Sequence, residues 1–134
     1  MKKHNIKYTK NVLWLKSFVD STKDIVPLHK ITNIKGYRVR RGCEERAYGS
    51  TYHKLEEDKY SINLKLQELI GYMEYKGCTI SIILDTLAHE LAHVAGGWEH
   101  TPKHYKLTSC INLIFSTILE KNDIIDTSKR IKIK

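Results

Sequence analysis

From Thr79 to Ala95 the chain carries one long apolar pattern, and into its middle the sequence sets His89, Glu90 and His93. Ile80, Ile83, Leu84, Leu87, Leu91 and Val94 recur at helical spacing, as one broad buried face of a helix requires. Burying two imidazoles and a carboxylate on such a helix, with no partners, costs several kcal/mol. The rest of the fold therefore has to supply partners for them. His89 and His93 stand one turn apart and project from the same face, while Glu90 lies about 100° round the axis, at the edge of that face. In this HExxH spacing two nitrogens can grip one metal ion at about 2.0–2.1 Å, and the carboxylate can reach a water without being a ligand.

Gly96 and Gly97 stop the helix, because glycine accepts the left-handed conformation that ends helices. The chain then turns back through "WEHTPKHY", where Thr101 is an N-cap and Pro102 a first helical residue. His100, just before that cap, is the first candidate for a third ligand. His104, one turn into the next helix, is the second. Glu99 is the position that the HExxHxxGxxH spacing of metzincins selects, and it ranks behind both. Imidazole donors suit zinc, so one Zn2+ ion is the expected cofactor.

Elsewhere the pattern is mixed. "KNVLWLKSFVDS" (Lys10–Ser21) places Val12, Leu15, Phe18 and Val19 at helical spacing, with Pro27 blocking continuation. "YRVRR", "ERAYGSTYHKL" and "KYSINLKL" are short, alternating and tyrosine-rich, and predict a small, three-stranded, mostly antiparallel sheet. "QELIGYMEYKG" is open between a short helix and a loop. The helix starting at Pro102 is expected to run to about Glu120, burying Tyr105, Cys110, Leu113, Ile114 and Ile118. The fold class is α+β: an N-terminal helix, the sheet, the HExxH helix and a C-terminal packing helix. One domain is expected over residues 1–134, with a core of about 10–121 and a fraying basic tail at 122–134.

Composition limits the classes of function. No apolar run approaches a membrane span, and "MKKHNIKYTKN" has no apolar stretch of the kind a secretory leader needs. The expected setting is cytoplasmic, with no membrane partner. Cys43, Cys78 and Cys110 are three in number and far apart. They form neither a disulfide framework nor CxxC pairs, and free, buried or half-buried thiols are expected. A net charge of +8 favours encounter with polyanions. Lys35, Arg38, Arg40 and Arg41, within "KGYRVRR", are the first candidates for nucleic-acid contact.

"LDTLAHELAH" (Leu84–His93) followed by "EHTPKHYKL" (Glu99–Leu107) resembles the SprT-like zinc metallopeptidases. That family carries an HExxH helix, a variable loop, and a third histidine in an H-G-P-x-F-like stretch opening the next helix. His100 and Pro102 match this pattern, Thr101 stands in place of the glycine, and His104 or Tyr105 stands near the aromatic. The resemblance implies a minimal zincin-like domain acting on a protein or peptide substrate, with Glu90 as catalytic base and zinc on His89, His93 and His100. It also implies that "KYSINLKLQELI" (Lys59–Ile70) is a cleft-side strand able to pair with a substrate backbone, and that DNA-associated proteins are possible targets. Tyr105, His104 and Asp85 are candidates for assisting at the transition state or orienting a ligand. A monomer is expected.

Two rival classes stand beside this. In a three-histidine metal-dependent endoribonuclease of the YbeY type the helix ends in a G-x-D-H turn, which "GWEH" (Gly97–His100) partly echoes, but that family has no glutamate after the first histidine. In a non-catalytic nucleic-acid-binding module the zinc is structural, and such sites are closed by four ligands that usually include cysteine.

Overall fold

The computed structural model describes residues 5–39, 49–69, 72–96, 100–121 and 130–132. The α+β architecture is as the patterning predicts. In chain order the elements are β1 (Lys7–Tyr8), a 3-10 turn (Lys10–Leu15), α1 (Lys16–Asp20), a second 3-10 turn (Leu28–Lys30), β2 (Ile31–Val39), β3 (Gly49–Lys54), β4 (Lys59–Leu69), β5 (Tyr72–Thr79), α2 (Ile80–Gly96), α3 (Pro102–Lys121) and β6 (Arg130–Lys132). The expected N-terminal helix thus forms as a 3-10 segment leading into a short α-helix, and its face holds: Val12, Leu15, Phe18 and Val19 are all buried.

The three expected strands are present as β2, β3 and β4, and the sheet continues beyond them. The segment open between helix and loop joins the sheet as the end of β4 and as β5, an antiparallel pair. In the tail, where fraying is expected, Arg130–Lys132 pairs antiparallel with β5. Antiparallel pairing also joins β3 to β4, whereas β1·β2 and β2·β4 are parallel. β4 therefore lies between β2 and β3, with Ile62 facing Ile34 on one side and Thr51 on the other. This corrects one expectation: β4 is covered on both sides from Tyr60 to Leu64, and the outer strand is β3. The β3–β4 turn closes on Asp58, in the left-handed conformation at φ 51°, which aspartate tolerates better than most residues. Its carboxylate pins the turn through Lys30 Nζ at 2.7 Å and His53 Nε2 at 2.8 Å.

Helix α2 packs against the sheet and against α3, and its Leu87, Ala88, Leu91 and Ala92 are fully buried. Phe18 of α1 meets Phe115 of α3 edge to face, with ring centroids 5.6 Å apart. The buried stripe of α3 is not the one the sequence suggests. His104, Ile111, Phe115 and Leu119 face the core, while Tyr105 and Leu113 are 56% and 70% exposed and Cys110 is an exposed free thiol. Ile114 and Ile118 are half-buried. The helix is rotated by one position so that an imidazole, rather than the Tyr105 ring, enters the interior. No described helix is long and apolar enough to cross a membrane.

Candidate metal centre

The site is built on the facing ends of α2 and α3. Helix α2 begins and ends one residue later than the pattern predicts, and its apolar face seats His89 and His93 toward α3. Helix α3 starts as expected: Pro102 is its first residue, and the Thr101 hydroxyl accepts from the His104 amide N–H at 3.3 Å. That cap places His100 and His104 on either side of the helix start. The consequence is four imidazoles in one cluster, with one nitrogen from each of His89, His93, His100 and His104 within 4.8 Å of the others.

The individual distances are tight. His89 Nε2 lies 3.1 Å from His100 Nε2 and 3.2 Å from His93 Nε2. In a tetrahedron of nitrogens about 2.0–2.1 Å from zinc, the edge is about 3.3–3.4 Å, so His89 Nε2 already sits near ligand spacing from both. His104 joins from below: its ring centroid is 4.2 Å from that of His93 and 4.5 Å from that of His89. The cluster grades from inside to outside, since His93 and His104 are buried, His89 is half-buried and His100 is exposed.

Electrostatics favours the uncharged form of His89 and His104. Burial, followed by the neighbouring His104, His93 and His100, pulls His89 down to about 4. Burial likewise lowers His104, against the opposing effect of its contact with the His89 backbone carbonyl. At neutral pH such imidazoles keep lone pairs rather than charges, as metal ligands must. Most telling is His104 Nδ1, which is buried and has no hydrogen-bond partner among the described residues. A buried acceptor of this kind on one of four clustered imidazoles is chemistry that suits metal ligation, so the donor set fits a divalent metal of the zinc type.

Glu90 is 5% exposed and faces the sheet side of the cluster. Its Oε1 accepts a 2.7 Å hydrogen bond from Thr51 Oγ1 on β3. Burial pushes the Glu90 carboxyl above the ordinary range, while the Thr51 hydrogen bond and then His93 and His100 oppose that rise. Sequence reasoning missed Thr51. It also missed Gly49, where a Cβ would stand 2.7 Å from Thr86 Cγ2, 3.1 Å from the Asn63 backbone oxygen and 3.3 Å from Glu90 Cγ. The strand can approach Glu90 this closely because glycine has no side chain. Alternation along β3 was the available signal: Gly49, Thr51 and His53 share the half-buried face.

Among solved structures, the chain is similar to Wss1 from Saccharomyces cerevisiae. The identity is 16% and the TM-score 0.45, over 90% of this chain and 92% of that one. No protein-family model and no curated protein matches the chain.

The remaining candidates separate. Tyr105 is exposed, its ring 6.4 Å from His100 and nearly parallel to it, at the solvent mouth of the cluster. Asp85 is exposed and makes no hydrogen bond among the described residues. Its carboxyl is raised by partial burial. Lys35 is exposed on β2, and Arg38 lies further along the same strand. Arg40 and Arg41 lie outside the described residues, as does Glu99. Cys110 is not among the clustered metal-ligating groups.

Proposed function

We propose that this protein is a zinc-dependent peptidase. The observation that carries the reading is the convergence of the His89, His93 and His100 Nε2 atoms at 3.1 and 3.2 Å beside a buried glutamate held by the sheet. His89, His93 and His100 hold the ion in this reading, and a zinc ion there supplies Lewis-acid activation of water and of the scissile carbonyl. Glu90 is the general base. Because Thr51 occupies Oε1, the Oε2 atom takes the proton from the attacking water and returns it to the departing amine. Raised by burial, the carboxyl is a better base than an exposed glutamate. Tyr105, at the mouth beside His100, can donate to the carbonyl oxygen as charge develops on it.

Substrate reaches the site along β3. Among the described residues this strand is paired on one side, with β4, and its Thr51 touches the base. An extended peptide adding to its other side would be drawn past Glu90 by backbone hydrogen bonds, a mode tolerant of sequence. The charge of +8 supports proteins bound to DNA as the targets.

Casein and structured RNA, each incubated with zinc-loaded protein and with a chelator, test the class of reaction. Casein cleavage that the chelator stops is the expected result, and cleavage of RNA alone would transfer the site to the nuclease class. Glu90→Gln should keep one zinc per chain and lower proteolysis by at least about 100-fold, the low end for loss of a general base. Undiminished cleavage by that variant would falsify the assignment.

A further inference from the structure

The proposed reaction uses three histidines, yet the structure gathers four. His104 is fully buried, and its Nε2 lies 3.1 Å from the backbone carbonyl oxygen of His89. A carbonyl can only accept, so Nε2 carries the proton and donates it there. The lone pair is then on Nδ1. That atom is buried and has no hydrogen-bond partner among the described residues, on a ring whose centroid is 4.2 to 5.2 Å from those of the other three. A core histidine with no further role has little reason to leave a lone pair buried and unmet, because desolvating it costs free energy that an apolar side chain of similar size avoids. Histidine ligands, by contrast, commonly bind through one nitrogen while donating the other N–H to a backbone carbonyl.

We propose that His104 is a fourth donor to the metal through Nδ1, so that the resting site is closed by four imidazoles and opens when the exposed His100 leaves. This rests on the peptidase reading, replaces His100 by His104 as the third ligand of the open site, and adds its regulation. The structure divides the four into an inner three and an outer one. His89 and His93 are fixed on α2, and His104 is fixed on α3 by its buried ring and its bond to the His89 carbonyl. His100 precedes α3 outside any helix and is exposed. An ion held by His89, His93 and His104 keeps three ligands when His100 withdraws, and the position it vacates faces solvent and Tyr105. An incoming substrate strand is then what trades places with the imidazole.

The test is heteronuclear NMR of the histidine side chains while zinc chloride is added to the intact chain. With one equivalent, His104 Nδ1 should move to the shift of a coordinated nitrogen while its Nε2 stays protonated. An unchanged Nδ1, with His89, His93 and His100 all shifting, overturns the inference and leaves the peptidase reading standing. Four shifting imidazoles in a protein that leaves casein intact sustains it and overturns the peptidase reading instead. If no histidine responds, both fall. Zinc content of variants gives a second route that does not depend on activity. His100→Ala should retain one zinc per chain, whereas His104→Phe, which keeps an aromatic ring in the core, should lose more than the roughly 100-fold in affinity that removing an outer-sphere partner costs at most. Equal zinc affinity of His104→Phe and the parent would also overturn the assignment. Should His104→Phe fail to fold, the NMR titration of the parent chain decides alone.

Discussion

Glu90 receives its hydrogen bond from Thr51, a residue 39 positions earlier. No local pattern in the sequence announces that contact, because it exists only once β3 has docked on α2. The histidines are the opposite case. His89 and His93 are neighbours through helical geometry alone, and His100 is brought back within a short connection, so their chemistry is legible from spacing. His104 was named in the sequence but ranked as a spare ligand. Its burial could have been read, since it begins the stripe that Ile111, Phe115 and Leu119 continue. Thr51 should matter to catalysis more than to binding of the ion. In Thr51→Val the shape is kept and the donor lost, which costs about 1.5–3 kcal/mol for a bond to a charged group. Proteolytic kcat/KM should fall by roughly 10-fold or more, with zinc stoichiometry unchanged in the same preparation. A variant as active as the parent would show that the hydroxyl does not position the base.

The elements were readable to different depths. Apolar periodicity placed α2 and α3 within a residue or so of their observed bounds. It misjudged which side of α3 turns inward, because Tyr105, Leu113 and Ile114 are apolar enough to pose as a core face. The imidazole of His104 decided the rotation. β5 escaped because glycines punctuate its segment, Gly71 just before it and Gly77 within it, although its antiparallel partner is the end of the strand directly preceding it. Pairing direction was equally hidden: nothing in a single strand says that β2 will run parallel to β4. The corrected face of α3 has a measurable signature. Phe115→Ala should destabilise the fold by about 3–5 kcal/mol, as deletion of a buried ring does. Leu113→Ala should fall within about 0.5 kcal/mol of the parent. Chemical denaturation of the two variants compares them directly, and similar losses from both would return the helix to the orientation that its apolar residues suggest.

At the scale of the whole molecule the charge of +8 is the property that no single element explains. It is spread widely, with Lys35 exposed on β2 and Lys103, Lys106 and Lys121 exposed on α3. A surface of this kind binds polyanions by releasing counterions. Affinity for duplex DNA should therefore fall linearly on a log–log plot against salt, with a slope of about 0.9 per phosphate neutralised. Fluorescence anisotropy across a salt series measures it. Absence of binding even at low ionic strength would detach DNA from the proposed targets.

The sheet also has an order of assembly written into it. β2 and β3 follow one another in the chain yet, among the described residues, are joined in the sheet only through β4, which slots between them. A nascent polypeptide that has emerged from the ribosome only as far as Asp58 holds two strands with no common ladder. Translation must deliver the next eleven residues before β3 is paired and before β2 gains a partner beyond the two-residue β1. The centre of the sheet is thus the last of its three main strands to be synthesised, and chains arrested short of it offer unsatisfied backbone to whatever chaperone or protease meets them first.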